Sequence, residues 1–312
     1  MRTGGPAQEL PPPSPLGAGS PATEKNEEYM RKSLVGTAAA ALLSAAALVG
    51  ISAAPAAAAP AQPTAHRTPS FEGTVALSNC SGSVVKLKHS RPGDPALVLS
   101  NGHCLQEGMP GAGEVVVDQP TSRDFTLLNA DGSDAGKIHS DKIAYATMTD
   151  TDISLYETTS TYRQIKKKYG IDALKLDAKR PRAGRDITVV SGYWKETFGC
   201  AVDGFAYRLK EADWTWKNSI RYTMDCQTKG GTSGSPVIDN RTGKVVGVNN
   251  THNEDGERCT LNNPCEVDRK GEVSIRYRNA YGQQTYWINR CFGRGNQLDL
   301  DARGCVLPQP AA

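Results

Sequence analysis

Beyond residue 70 the chain is a series of short apolar and β-branched runs separated by Gly, Pro, Asn and Asp. The first set comprises Gly73 to Leu77, Ser83 to Leu87, Ala96 to Leu99, Glu114 to Asp118, Phe125 to Leu128 and Ile153 to Glu157. The second comprises Ile187 to Val190, Ala206 to Leu209, Ile220 to Met224, Pro236 to Ile238, Val245 to Asn249 and Val273 to Tyr277. Runs of this length and spacing predict strands of an antiparallel barrel or sandwich, hence an all-β fold. Between the sets lies the basic stretch Arg163 to Lys168, expected as a surface helix or loop, and Ala280 to Arg290 is expected to form a closing helix. No repeat or long linker separates the two sets.

The N-terminal end reads differently. Residues 1–29 are rich in Pro, Gly and charge and read as an upstream extension or a misassigned start, because Met30 opens a second beginning. Arg31 and Lys32, the Ala-rich apolar segment from Leu34 to Ala53 and the small residues Ala57-Ala58-Ala59 form the pattern of a signal peptide over 30–59. A single transmembrane anchor is the rival reading, opposed by the Gly, Ser and Thr residues scattered through the segment. Residues 60–70 read as a short leader. The formal charge is +3, and removing 1–59 takes away equal numbers of basic and acidic residues, so it does not change. A balance so near neutrality predicts no nucleic-acid partner.

All eight cysteines, at 80, 104, 200, 226, 259, 265, 291 and 305, fall in the remaining part. An even number in an exported chain indicates disulfides, and although many connectivities are allowed, we expect pairing in sequence order. Cys80 with Cys104 would then fasten the loop around His103. No C-x-x-C pair occurs and the histidines are scattered, which argues against a metal site; no cofactor is implied. The acidic residues between Glu254 and Asp268 lack a recognised calcium-ligand spacing and read as a solvated face.

Three short motifs carry chemistry: Asn101-Gly102-His103-Cys104, Thr151-Asp152-Ile153-Ser154-Leu155 and Gly231-Thr232-Ser233-Gly234-Ser235-Pro236. A serine between glycines in a tight turn presents its hydroxyl outward beside backbone N–H groups. Ser233 is the candidate nucleophile, His103 its base and Asp152 the carboxylate that orients the imidazole. His66, His89, His139 and His252 lack the Cys-adjacent setting of His103. Asp150 rivals Asp152, but the apolar alternation follows Asp152. The N–H groups of Gly231 and Ser233 are the candidate oxyanion hole.

The order His, Asp, Ser, together with these motifs, resembles the secreted chymotrypsin-like (trypsin-fold) serine peptidases. Gly-x-Ser-Gly-Ser-Pro-Val is closer to the bacterial glutamyl-endopeptidase branch than to the trypsins. The resemblance covers roughly 70–290. It implies two antiparallel six-stranded β-barrels of chymotrypsin type, about 71–160 and 180–278, a C-terminal helix at 280–290 and a disulfide-closed tail at 291–312. It implies a monomeric extracellular endopeptidase acting on peptide or protein substrates, with no membrane association after signal cleavage. Thr232 stands where trypsins carry the Asp that pairs with a freed N-terminal amine, so activation by that ion pair is not expected. The substrate-binding candidates are Gln227, Thr228, Asn249, Asn250 and Thr251. Gln227 stands where trypsins place the Asp that receives Lys or Arg, so the pocket is expected to favour Glu, Gln or small polar side chains over cations. His252 is a candidate to replace the pocket histidine of the glutamyl endopeptidases. A catalytically silent binding protein on the same fold and an esterase are the alternative functions.

Overall fold

The computed structural model describes residues 69–311; the expected upstream extension, the signal peptide and nearly all of the leader lie outside the described residues. Strands β1 (Thr74–Ala76), β2 (Ser81–Lys86), β3 (Pro95–Ser100), β4 (Val115–Leu128), β5 (Asp134–Thr147) and β6 (Ile153–Thr161) pair in the order β1-β4-β5-β6-β3-β2, and β2 returns to β1, closing a six-stranded antiparallel barrel. Helix α1 (Tyr162–Tyr169) follows, and the short β7 (Leu174–Lys175) lies parallel to β2. Strands β8 (Asp186–Ser191), β9 (Glu196–Glu211), β10 (Trp214–Tyr222), β11 (Pro236–Asp239), β12 (Lys244–His252) and β15 (Ala280–Gln284) close a second ring, β10-β15-β12-β11-β8-β9 and back to β10. The hairpin β13 (Cys265–Val267) and β14 (Val273–Ile275) is appended to β9.

Several strands read as continuous apolar runs because both their faces are buried. On β2 and β3, Val84, Ala96 and Val98 point into the first barrel, while Val85, Leu97 and Leu99 pack with Val190, Ile238, Val245 and Val248 of the second. The C-terminal segment joins this shared core through Ile288, Cys291, Phe292 and Leu307. The basic stretch is helical: Thr161 and Gln164 form a capping box, and Gly170 ends α1 in the left-handed conformation.

The expected closing helix over 280–290 is not there. Ala280–Gln284 is a buried strand and Ile288–Arg290 a single 3-10 turn. Without β15 the facing edges of β10 and β12 would leave backbone N–H and C=O groups unpaired, and the strand satisfies both edges, with Gly282 opposite Ile220 on one side and Asn249 on the other. Four bridges join cysteines that are neighbours in sequence: Cys80–Cys104, Cys200–Cys226, Cys259–Cys265 and Cys291–Cys305. Among the described residues no helix is long and apolar enough to cross a membrane. Four disulfides fit an exported protein.

Candidate active site

His103 sits on a 3-10 turn, Gly102–Cys104, where the chain leaves β3, and Asp152 immediately precedes β6. The two strands are antiparallel neighbours with Ser100 opposite Ser154, so the exit of one and the entry of the other meet at one edge of the first barrel. Side chains lock the junction. Asn101 donates to the Asp152 carbonyl at 2.7 Å, and the Ser154 hydroxyl donates to the Asn101 carbonyl at 2.8 Å. Behind the turn, the buried guanidinium of Arg123 donates to the Cys104 carbonyl at 2.6 Å and to Asn79 Oδ1 at 2.7 Å, while its plane packs near the Phe125 and Tyr156 rings. With the Cys80–Cys104 bridge, these contacts hold the His103 turn from below.

Asp152 is fully buried. Its Oδ2 lies 2.7 Å from His103 Nδ1, and its Oδ1 accepts the N–H groups of Gly102 at 2.6 Å and His103 at 3.1 Å. Three contacts fix the carboxylate, and the carboxylate fixes the ring. Burial lowers the His103 pKa, but the charge and hydrogen bond of Asp152 and the charge of Glu211 outweigh it, leaving the imidazole above its ordinary value. Asp150 points elsewhere: its Oδ2 pairs with Lys217 Nζ at 2.6 Å.

Ser233 lies in the turn that enters β11, across the cleft on the second barrel. Its carbonyl accepts the Ser81 N–H at 2.8 Å, which ties the turn to the first barrel, and the Gly234 N–H reaches the Asn249 carbonyl at 2.9 Å. The Ser233 hydroxyl donates to the Asn250 carbonyl at 3.0 Å, and Ser233 and His103 line the same cleft. Gly231 has φ +86, a conformation that favours glycine, and the backbone N–H groups of Gly231 and Ser233 donate to no group among the described residues. Thr232, where an ion-paired Asp was not expected, uses local partners: its hydroxyl donates to the Lys229 carbonyl and accepts the Asn249 amide at 3.1 Å.

Of the substrate-binding candidates, Asn249, Asn250 and Thr251 line the cleft, whereas Gln227 and Thr228 do not. Gln227 is exposed and donates to the Met224 carbonyl at 2.6 Å; Thr228 is buried. His252 does reach the cleft, 3.6 Å from Glu254, and burial lowers its pKa more than Glu254 raises it. Sequence reasoning missed Glu211, Trp216, Met148 and Leu261, which also line it. One signal was available for Glu211: two residues after the buried Leu209 at the end of β9, it falls on the inward face of the strand. Cys80, His103 and Cys104 bring three potential metal-ligand atoms together, but both sulfurs are in the disulfide and neither is available as a thiolate.

Among solved structures, the MamO protease domain from Magnetospirillum magneticum is similar at 11% identity, covering 70% of this chain and 94% of that one, with a TM-score of 0.42. A protease from M. tuberculosis in its active form is 14% identical, with 83% and 96% covered and a TM-score of 0.41. A Glu endopeptidase is also 14% identical, with 72% and 90% covered and a TM-score of 0.40. No curated protein matches the chain. The sequence pattern of the trypsin-like peptidase domain matches residues 80–248, more than half of the chain and a span that includes His103, Asp152 and Ser233, and the protein therefore belongs to that family.

Proposed function

We propose that the protein is a secreted serine endopeptidase that cleaves peptide bonds through an acyl-enzyme, with Ser233 as nucleophile, His103 as general base and acid, and Asp152 as the orienting carboxylate. The observation that carries the reading is the buried Asp152 held 2.7 Å from His103 Nδ1, with Ser233 on the opposite wall of the same cleft. Because Nδ1 faces the carboxylate, it carries the proton and Nε2 is free to accept one. The Ser233 hydroxyl turns from the Asn250 carbonyl to Nε2 and gives up its proton as Oγ bonds to the scissile carbonyl carbon. The N–H groups of Gly231 and Ser233 receive the charge that develops on the carbonyl oxygen. His103 then protonates the leaving amine, and water repeats the sequence to release the acid and restore Ser233.

The test is labelling by a fluorophosphonate together with hydrolysis of a peptide mixture. A single adduct at Ser233 and hydrolysis that falls at least about 10³-fold in Ser233→Ala are expected. An unlabelled, inactive wild type that remains folded would instead support a binding protein on this fold. Ester turnover without peptide turnover would support an esterase.

A further inference from the structure

Glu211 ends β9 on its inward face, is only 5% exposed and lines the cleft that holds His103. One bond is accounted for, from the Asn262 N–H to Oε1 at 3.0 Å. Oε2 is buried without a hydrogen-bond partner, and among the described residues no Lys or Arg forms an ion pair with this carboxylate. An ionised carboxylate taken out of water without a counter-charge is unfavourable, and burial raises the Glu211 pKa despite the neighbouring Thr251 hydroxyl, the Asn262 N–H and His103. Asn250 is 3% exposed, lines the same cleft, and both its amide atoms lack partners. Unsatisfied buried polar atoms are rare in folded proteins, and one beside a cleft calls for a partner.

The cationic neighbours do not fill this role. Lys229 is drawn to Glu196 at 2.5 Å and lies over the Trp194 ring; His103 is committed through Nδ1 to Asp152 at 2.7 Å and forms no hydrogen bond with Glu211; His252 is held toward its neutral form by burial. Met148, Trp216 and Leu261 give the otherwise polar cleft an apolar stretch. A buried carboxylate beside an apolar stretch matches a side chain with an aliphatic stem and a cationic end.

We propose that Glu211, assisted by Asn250, is the acceptor of a subsite that takes a Lys or Arg side chain of the peptide substrate at a residue beside the scissile bond. The stem lies against Trp216, Met148 and Leu261, and the ammonium or guanidinium supplies the missing counter-charge. The proposal rests on the peptidase reading. It also reverses the expectation drawn from the neutral Gln227 and Thr228: the carboxylate comes from β9, on the far side of the barrel sequence, and not from the segment before the nucleophile.

The experiment uses the full chain, with active enzyme counted by an uncharged fluorophosphonate. Peptides identical except at one position near the cut carry Arg or its neutral isostere citrulline, and Lys or norleucine, at each position in turn. At one position the wild type is expected to prefer Arg over citrulline, and Lys over norleucine, at least tenfold in kcat/KM. Glu211→Gln is expected to bring both ratios close to one, and Glu211→Asp to leave an intermediate value. The wild-type ratios alone decide the matter if neither variant folds. A wild type that cleaves peptides with no cationic preference at any position overturns the subsite, as does a Glu211→Gln enzyme that keeps the wild-type ratios. A wild type that neither reacts with the fluorophosphonate nor cleaves any peptide overturns the peptidase reading first, and the subsite with it.

Discussion

Asp152→Asn replaces one carboxylate oxygen by an NH2 group and leaves the shape of the site intact. Asp152 Oδ1 accepts two backbone N–H groups, from Gly102 and His103, so the amide oxygen of the variant stays on that side and the NH2 faces His103 Nδ1. A donor opposite Nδ1 forces that nitrogen to accept, and the ring proton moves to Nε2, the atom that receives the Ser233 proton in the proposed mechanism. The same exchange in Ser-His-Asp triads lowers kcat about 10⁴-fold, equivalent to ~5.5 kcal/mol of transition-state stabilisation. Folding stability falls far less. Both backbone donors keep an acceptor, and weakening each from a charge-assisted to a neutral bond removes about 1 kcal/mol, so the variant should lose ~2 kcal/mol. The assay is kcat against pH on one peptide, with the folded fraction measured by thermal denaturation. In the proposed mechanism the reaction needs neutral imidazole, so turnover should rise with pH through a His103 pKa raised above its ordinary value by Asp152 and Glu211. In the variant the upward pull of Asp152 is gone while burial still pulls down, and the midpoint of the residual activity should move to lower pH. Turnover within tenfold of wild type, or a midpoint that stays in place or rises, would refute the orienting role.

Gly234→Ala tests the turn that carries Ser233, the proposed nucleophile. Gly234 has φ +81, and a Cβ there would collide with the Ser81 carbonyl and the Ser100 hydroxyl; combined left-handed strain and overpacking should destabilise by about 3 kcal/mol or more in chemical denaturation, with loss of fluorophosphonate labelling. Opening the Cys80–Cys104 bridge by Cys80→Ser with Cys104→Ser releases a loop with a sequence separation of 24. In the chain-entropy description this removes about 3.4 kcal/mol of stability, seen as a lower denaturation midpoint, and kcat should fall along with it because the bridge lies directly beside His103.

Much of the protein was legible in the chain alone, for reasons that are local. A strand buried on one or both faces must carry apolar residues at fixed intervals, and β2, β3, β6, β8, β11 and β12 all announced themselves in this way. The turn around Ser233 needs its glycines and the Cys-adjacent histidine needs its bridge, so these short motifs carried their own geometry. Long β5 is not apparent in the sequence because its first half, from Asp134 to Asp141, is mostly polar and is held chiefly by pairing with β4. Ala280 to Arg290 reads as helical from the chain alone, and only the two barrel edges on either side of Ala280–Gln284 decide that its first part is extended. The choice between Asp150 and Asp152 was likewise tertiary: the two are near neighbours in the chain, yet one pairs with Lys217 and the other meets His103. Glu211 and Trp216 belong to the second barrel and His103 to the first, and no local pattern links them. Their shared cleft follows from the packing of two closed sheets, which brings together residues that local sequence cannot relate.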